Sequence, residues 1–103
     1  MKKVTGPELH AAVSSNPLLL VEFSAEWCGP CKVMGPLLEG VAHDLGLPVV
    51  EVDADEQSEL AADFKIRSVP TVLVFKDGKV ANTIVGTLPR ERLLAQVLKT
   101  KGT

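Results

Sequence analysis

The sequence predicts an α/β domain: a central mixed, mostly parallel five-stranded sheet flanked by about four helices, in the order βαβαβαββα. Three observations carry this. Apolar runs rich in branched residues, Leu18 to Phe23, Pro48 to Asp53 and Thr71 to Phe75, are separated by segments of helical periodicity. The two long helical crossovers favour parallel strands, right-handed connections and helices on both faces. A chain of 103 residues, 46% of them hydrophobic, suits one core, so a single domain over residues 1–103 is expected.

Lys2 to Val4 reads as a short first strand. Thr5-Gly6-Pro7-Glu8 is a capping box with an early proline, opening a helix to about Ser14 that Asn16-Pro17 breaks. Leu18 to Phe23 is apolar at nearly every position, as in a strand covered on both faces. A helix is expected from about Cys28 to Leu45, with Gly46 as a left-handed stop. Pro36 lies inside it and predicts a kink. Pro48 to Asp53 is the next buried strand, and Asp55 is placed to cap a short helix, Glu56 to about Phe64. Thr71 to Phe75 leads into Lys76-Asp77-Gly78-Lys79, a hairpin turn. Val80 to Val85 alternates in part, which suits an edge strand. From Pro89 to Thr100, Leu93, Leu94, Val97 and Leu98 are assigned to one face of a final helix.

The formal charge of −2, with no run of Lys or Arg longer than two, leaves no basic stripe for nucleic acid. Met1-Lys2-Lys3 carries the charge of a signal peptide's first segment, but no continuous apolar stretch follows. Leu18 to Val21 is too short to span a bilayer. These features suggest a soluble chain that is not exported, in a reducing compartment. A cytoplasmic location is expected, or an organellar one if a presequence has been removed. No long exposed apolar stripe suggests dimerisation, so a monomer is expected.

The chain has two cysteines, Cys28 and Cys31. Closing so short a loop removes little entropy from the unfolded chain, so their pairing suggests redox work rather than stability. Cys28 stands where a strand has ended and a helix begins. Unpaired amides and aligned peptide dipoles there favour a thiolate. Cys31 lies one turn inside the same helix, within reach of Cys28. Gly29 tolerates the tight entry, and Pro30 suits a first helical turn. A zinc site would need two more ligands, and His10 and His43 lack paired spacing. Two inert buried cysteines would not explain the Gly-Pro between them.

Ala25-Glu26-Trp27-Cys28-Gly29-Pro30-Cys31-Lys32 resembles the active-site signature of the thioredoxin family. The similarity continues through Pro36, Ser68-Val69-Pro70-Thr71, Phe75-Lys76-Asp77-Gly78 and Gly86, covering roughly residues 2 to 100. The resemblance implies the thioredoxin fold and protein-disulfide reduction by thiol–disulfide exchange. Cys28 would be the exposed nucleophile that forms a mixed disulfide with a client protein. Cys31 would be the buried thiol that resolves it. The chain would bind no cofactor. A thioredoxin reductase, using NADPH and FAD, would regenerate the dithiol. Val69-Pro70 aligns with the family's cis-proline, facing the disulfide. Trp27, Gly29, Pro30, Val69, Pro70 and Gly86 would receive extended client peptides.

Glu22 interrupts an otherwise apolar strand, and a carboxylate is seldom buried without a partner or a proton. The family usually has Asp there, beneath the resolving cysteine, as a proton relay. Glu22 is accordingly assigned a raised pKa and proton exchange with Cys31; the alternative is a structural acid at the sheet edge of the core. Many bacterial members carry Lys near this acid, where this chain has Glu51. Two nearby carboxylates disfavour double ionisation, and Lys32 is a candidate counter-charge. Ser24 stands where many bacterial members have a second Trp. Asp55 is a candidate acceptor for the Trp27 indole as well as a candidate cap.

Two other functions compete. An oxidant or isomerase of the same fold would normally have His in the loop dipeptide, where this chain has Gly29-Pro30. A non-catalytic binding module would use the groove and dispense with the cysteines.

Overall fold

Thr5 begins the first helix as its local sequence requires. The Thr5 hydroxyl accepts the Glu8 N–H at 3.5 Å, and the Glu8 carboxylate accepts the Thr5 N–H at 3.0 Å. The computed structural model describes residues 1–102. In chain order its elements are β1 (Lys2–Lys3), α1 (Gly6–Ser15), β2 (Leu18–Ser24), α2 (Gly29–Leu45), β3 (Val49–Asp53), α3 (Ser58–Asp63), β4 (Thr71–Lys76), β5 (Lys79–Val85) and α4 (Arg90–Lys101). The expected element order is therefore observed.

The sheet has five strands in the order β1-β3-β2-β4-β5, with β2 at its centre. It is mixed, but not mostly parallel. β1 and β2 each run parallel to β3, whereas β4 is antiparallel to both β2 and β5. The short helix α3 and the loop after it bring β4 back against β2 in the opposite direction, so the second helical connection is not a parallel crossover. β5 is the expected edge strand. Its hairpin turns through Asp77 at φ 52° and Gly78 at φ 85°, the left-handed pair of a two-residue turn.

Side-chain alternation along the central strands builds two cores. Leu20, Val72, Val74 and Ile84 face Met34, Leu38 and Val41 of α2 and Leu93 and Val97 of α4. Leu19, Val21, Phe23, Leu73 and Phe75 face Leu9 of α1 and Ala61 of α3. Each fully buried large side chain contributes about 1.5–3 kcal/mol of transfer free energy, so both faces stabilise the sheet.

α2 runs through Pro36, which supplies no N–H to the Lys32 carbonyl one turn earlier. It ends at Gly46 in the predicted left-handed conformation, φ 65°. Two assignments require correction. Leu98 does not share the buried face of α4: Leu93 and Val97 are buried, but Leu98 is 44% exposed. At roughly 100° per residue, Leu98 lies about 140° round from Leu93, at the rim of the stripe. Asp55 does not cap α3, which starts at Ser58 after a Gln57 cap that makes no side-chain hydrogen bond. The Asp53 carboxylate instead accepts the N–H groups of Asp55 and Glu56, at 2.9 and 3.0 Å, and this holds a turn ahead of the helix.

Candidate active site

The strand-to-helix junction at the end of β2 places both cysteines. Ser24 ends the central strand, and Cys28 is the N-cap of α2 with Gly29 and Pro30 in the first turn. Cys28 and Cys31 form a disulfide with Cα atoms 5.4 Å apart. The Cys31 N–H donates to Cys28 Sγ at 3.2 Å. When the bond opens, that donor and the helix N-terminus stabilise a Cys28 thiolate. A sulfur here is therefore both a good attacking group and a good leaving group.

The expectation of an exposed Cys28 does not hold for the disulfide form. Cys28 is 2% exposed and Cys31 7% exposed. Ala25 is buried with them and Val69 packs against the three. The exposed groups around them are Trp27, at 73%, with Gly29 and Pro30. This apolar rim therefore stands between solvent and the sulfurs.

Trp27 is held in that position. Its indole N–H donates to Asp55 Oδ2 at 2.7 Å, which selects the indole partner over the capping role for Asp55. Trp27 and Val69 line one cavity of about 310 Å³ with Ser68, Arg67 and Asp55. The Val69–Pro70 peptide bond is cis. Pro70 is buried, and its carbonyl accepts the Gly86 N–H at 2.8 Å. Gly86 has φ +84°, a conformation that disfavours any residue with a Cβ. The structure thus brings Trp27 and Val69 to one hollow and joins Pro70 to Gly86 beside it.

Behind the disulfide lies a second cavity, of about 260 Å³, lined by Cys31, Glu22, Ser24, Lys32, Gly35 and Glu51 among others. Glu22 is fully buried in the central strand, not at a sheet edge, and among the described residues neither of its carboxylate oxygens has a hydrogen-bond partner. A Cβ on Gly35 would stand 3.4 Å from Glu22 Oε1, so the glycine lets α2 lie close over the acid. Glu51 lies directly beside Glu22 on the neighbouring parallel strand. Burial pushes the Glu22 carboxyl up to about 7, and the charges of Glu51 and Glu39 add to the rise. Lys32 is exposed at the mouth, and among the described residues no ion pair joins it to either acid.

Sequence reasoning passed over two contributors. Glu39, from the third turn of α2, adds its charge to the field on Glu22. Ser24 Oγ donates to Glu51 Oε2. Strand alternation already places Ser24 on the same side as Glu22, but only the register with β3 reveals its partner.

Comparisons with known proteins place the chain among its relatives. The sequence model of the Thioredoxin family matches residues 1–99. The chain is 43% identical over 95 residues to a thioredoxin of Mycoplasmoides gallisepticum, covering 90% of this chain and 95% of that protein. It is 43% identical over 91 residues to the thioredoxin of Bacillus subtilis, covering 86% of this chain and 88% of that protein. A mutant thioredoxin from Halobacterium salinarum NRC-1 superposes with a TM-score of 0.90 at 33% identity, covering 96% of this chain and 88% of that one. Plasmodium falciparum thioredoxin gives a TM-score of 0.87 at 36% identity, over 96% and 98% of the two chains. With a dithiol at a helix N-terminus, a cis-proline beside it and these relatives, the chain belongs to the thioredoxin family of disulfide oxidoreductases.

Proposed function

We propose that this chain is a monomeric, single-domain protein-disulfide reductant in which Cys28 attacks, Cys31 resolves and Glu22 carries the proton. The observation behind this division of roles is the placement of the two sulfurs. Cys28 sits at the helix N-cap beside Trp27, and Cys31 lines the cavity that contains the buried Glu22.

In the first step the Cys28 thiolate attacks a client disulfide, forming a Cys28–client disulfide and releasing one client thiolate. In the second, Cys31 gives its proton to the Glu22 carboxylate and attacks Cys28 Sγ. The Cys28–Cys31 bond forms, and the second client thiolate leaves with the electron pair. The client gains two electrons and the dithiol loses two. Trp27, Gly29, Pro30, Val69, Pro70 and Gly86 receive the client backbone, with the indole fixed by Asp55. A thioredoxin reductase returns the electrons, drawn from NADPH through FAD, and the chain itself binds neither. A cytoplasmic location suits this chemistry, because a reducing compartment keeps the dithiol available. No helix among the described residues is long and apolar enough to cross a membrane.

The test is turnover of a disulfide-bonded client protein with dithiothreitol as electron source. The wild-type chain accelerates reduction, and variants with serine at both Cys28 and Cys31 do not. Equal acceleration by the double-serine chain would replace this reading with that of a binding module.

A further inference from the structure

We propose that Ser24 is a positioning residue for the proton chemistry. Its hydroxyl pins the Glu51 carboxylate beside Glu22, so that Glu51 keeps the charge of the pair and Glu22 keeps the proton. This deepens the reading of Glu22 as the group that exchanges a proton with Cys31, and rests on it.

Parallel pairing sets Glu22 opposite Glu51 and Ser24 opposite Asp53, with all four side chains on the α2 face of the sheet. Two carboxylates so close do not both ionise freely, and the environment decides which one gives way. That environment is asymmetric. Glu51 is half-buried and accepts the Ser24 hydroxyl on Oε2. A hydroxyl donor favours an ionised acceptor, and such charge-assisted bonds are roughly twice as strong as neutral ones. Glu22 is fully buried and, among the described residues, has no donor on either oxygen. Ionising a buried, undonated carboxylate is the more costly choice. The proton therefore belongs on Glu22 and the charge on Glu51.

The other charged groups do not reverse this. The same cavity is lined by the acids Glu26, Glu39 and Asp53, by Lys3 and Lys32, and by Met1. The Met1 amine pairs with Glu39 at 2.9 Å. Among the described residues no ion pair connects Lys3 or Lys32 with Glu22 or Glu51. The raised Glu22 carboxyl described above, with Glu51 as its largest charged influence, agrees with the assignment.

The functional consequence is that Ser24 sets the pH at which Glu22 can accept the Cys31 proton. Without the hydroxyl, Glu51 loses a donor that favours its charged form and is free to turn to solvent. Both changes weaken the field on Glu22, so its titration midpoint falls.

The experiment follows the side-chain carboxyl carbons of Glu22 and Glu51 by NMR, in the full oxidised chain, for wild type, Ser24→Ala, Glu51→Gln and the double variant. Amide spectra check the fold. The Glu22 midpoint is expected to fall by about one unit in Glu51→Gln and by about half a unit in Ser24→Ala. In the double variant the loss of Ser24 adds nothing to the loss of Glu51. Should Ser24→Ala not fold, Ser24→Cys, a near-isostere with a much weaker donor, replaces it with the same expected direction. An unchanged Glu22 midpoint without Ser24, or a raised midpoint on Glu51 instead of Glu22, overturns the proposal. The underlying relay reading fails by a separate result: a high Glu22 midpoint together with wild-type resolution rates in Glu22→Gln.

Discussion

In the proposed division of the exchange reaction, Cys28 attacks and Cys31 resolves, so their single serine variants should fail in different ways. Cys28→Ser forms no mixed disulfide. Cys31→Ser forms one and retains it, which intact-mass analysis detects as a covalent client adduct. In the proposed mechanism Glu22 acts on the second step only. Glu22→Gln should leave the initial attack by Cys28 nearly unchanged and slow resolution about 100-fold near neutral pH, the lower end of the range for a lost general base. The wild-type resolution rate should also rise with pH through about 7, as the Glu22 carboxylate becomes available to take the Cys31 proton, and stopped-flow kinetics will show whether that rise vanishes in the variant. Cys28, Cys31, Trp27 and Glu22 were legible in the sequence because each residue type is chemically specific at its position. The Ser24–Glu51 contact was not. It depends on a strand register, and a one-residue slip would have turned Ser24 to the other face.

At the scale of elements, caps and turns follow local chemistry and can be tested locally. Thr5→Ala removes the hydroxyl half of the capping box of α1 and should cost about 1 kcal/mol in urea unfolding, with no change in redox behaviour. Gly86→Ala places a Cβ on a backbone at φ +84°, so it should cost about 1–2 kcal/mol and weaken client binding beside Pro70. A raised KM for a protein client, with unchanged reduction of a small disulfide, is the expected signature. The capping box, the Gly46 stop and the Asp77-Gly78 turn were legible because the motif and its partners lie within a few residues. Asp55 stayed open between two readings because Asp is equally suited to a cap and to an acceptor of a distant indole. Trp27 took it, and Asp53 formed the turn. Leu98 misled because it stands at the rim of the apolar stripe, where the position of the neighbouring helix decides burial.

At the scale of the whole molecule, the buried acid links function to stability. The Glu22 carboxyl rises from 4.5 to about 7 on folding, so the folded chain holds a proton that the unfolded chain releases earlier. Its contribution to stability is fully present below pH 4.5, falls between there and about 7, and is flat above. The slope is about 1.4 kcal/mol per pH unit, roughly 3 kcal/mol in all. Urea unfolding at a series of pH values should show this decline in wild type and its absence in Glu22→Gln. The order of elements and the two-faced core were readable from periodicity. The balance of the sheet was not, because apolar patterning does not say in which direction β4 meets β2. The central claim, that the Cys28–Cys31 pair works as a disulfide reductant, is tested most directly by its redox midpoint in graded dithiothreitol buffers. Trp27, the single tryptophan and the neighbour of Cys28, reports the state by fluorescence. A two-electron transition at about −270 mV, the known value for thioredoxin, is the predicted result. A midpoint at or above about −180 mV, or no two-electron transition at all, would contradict it.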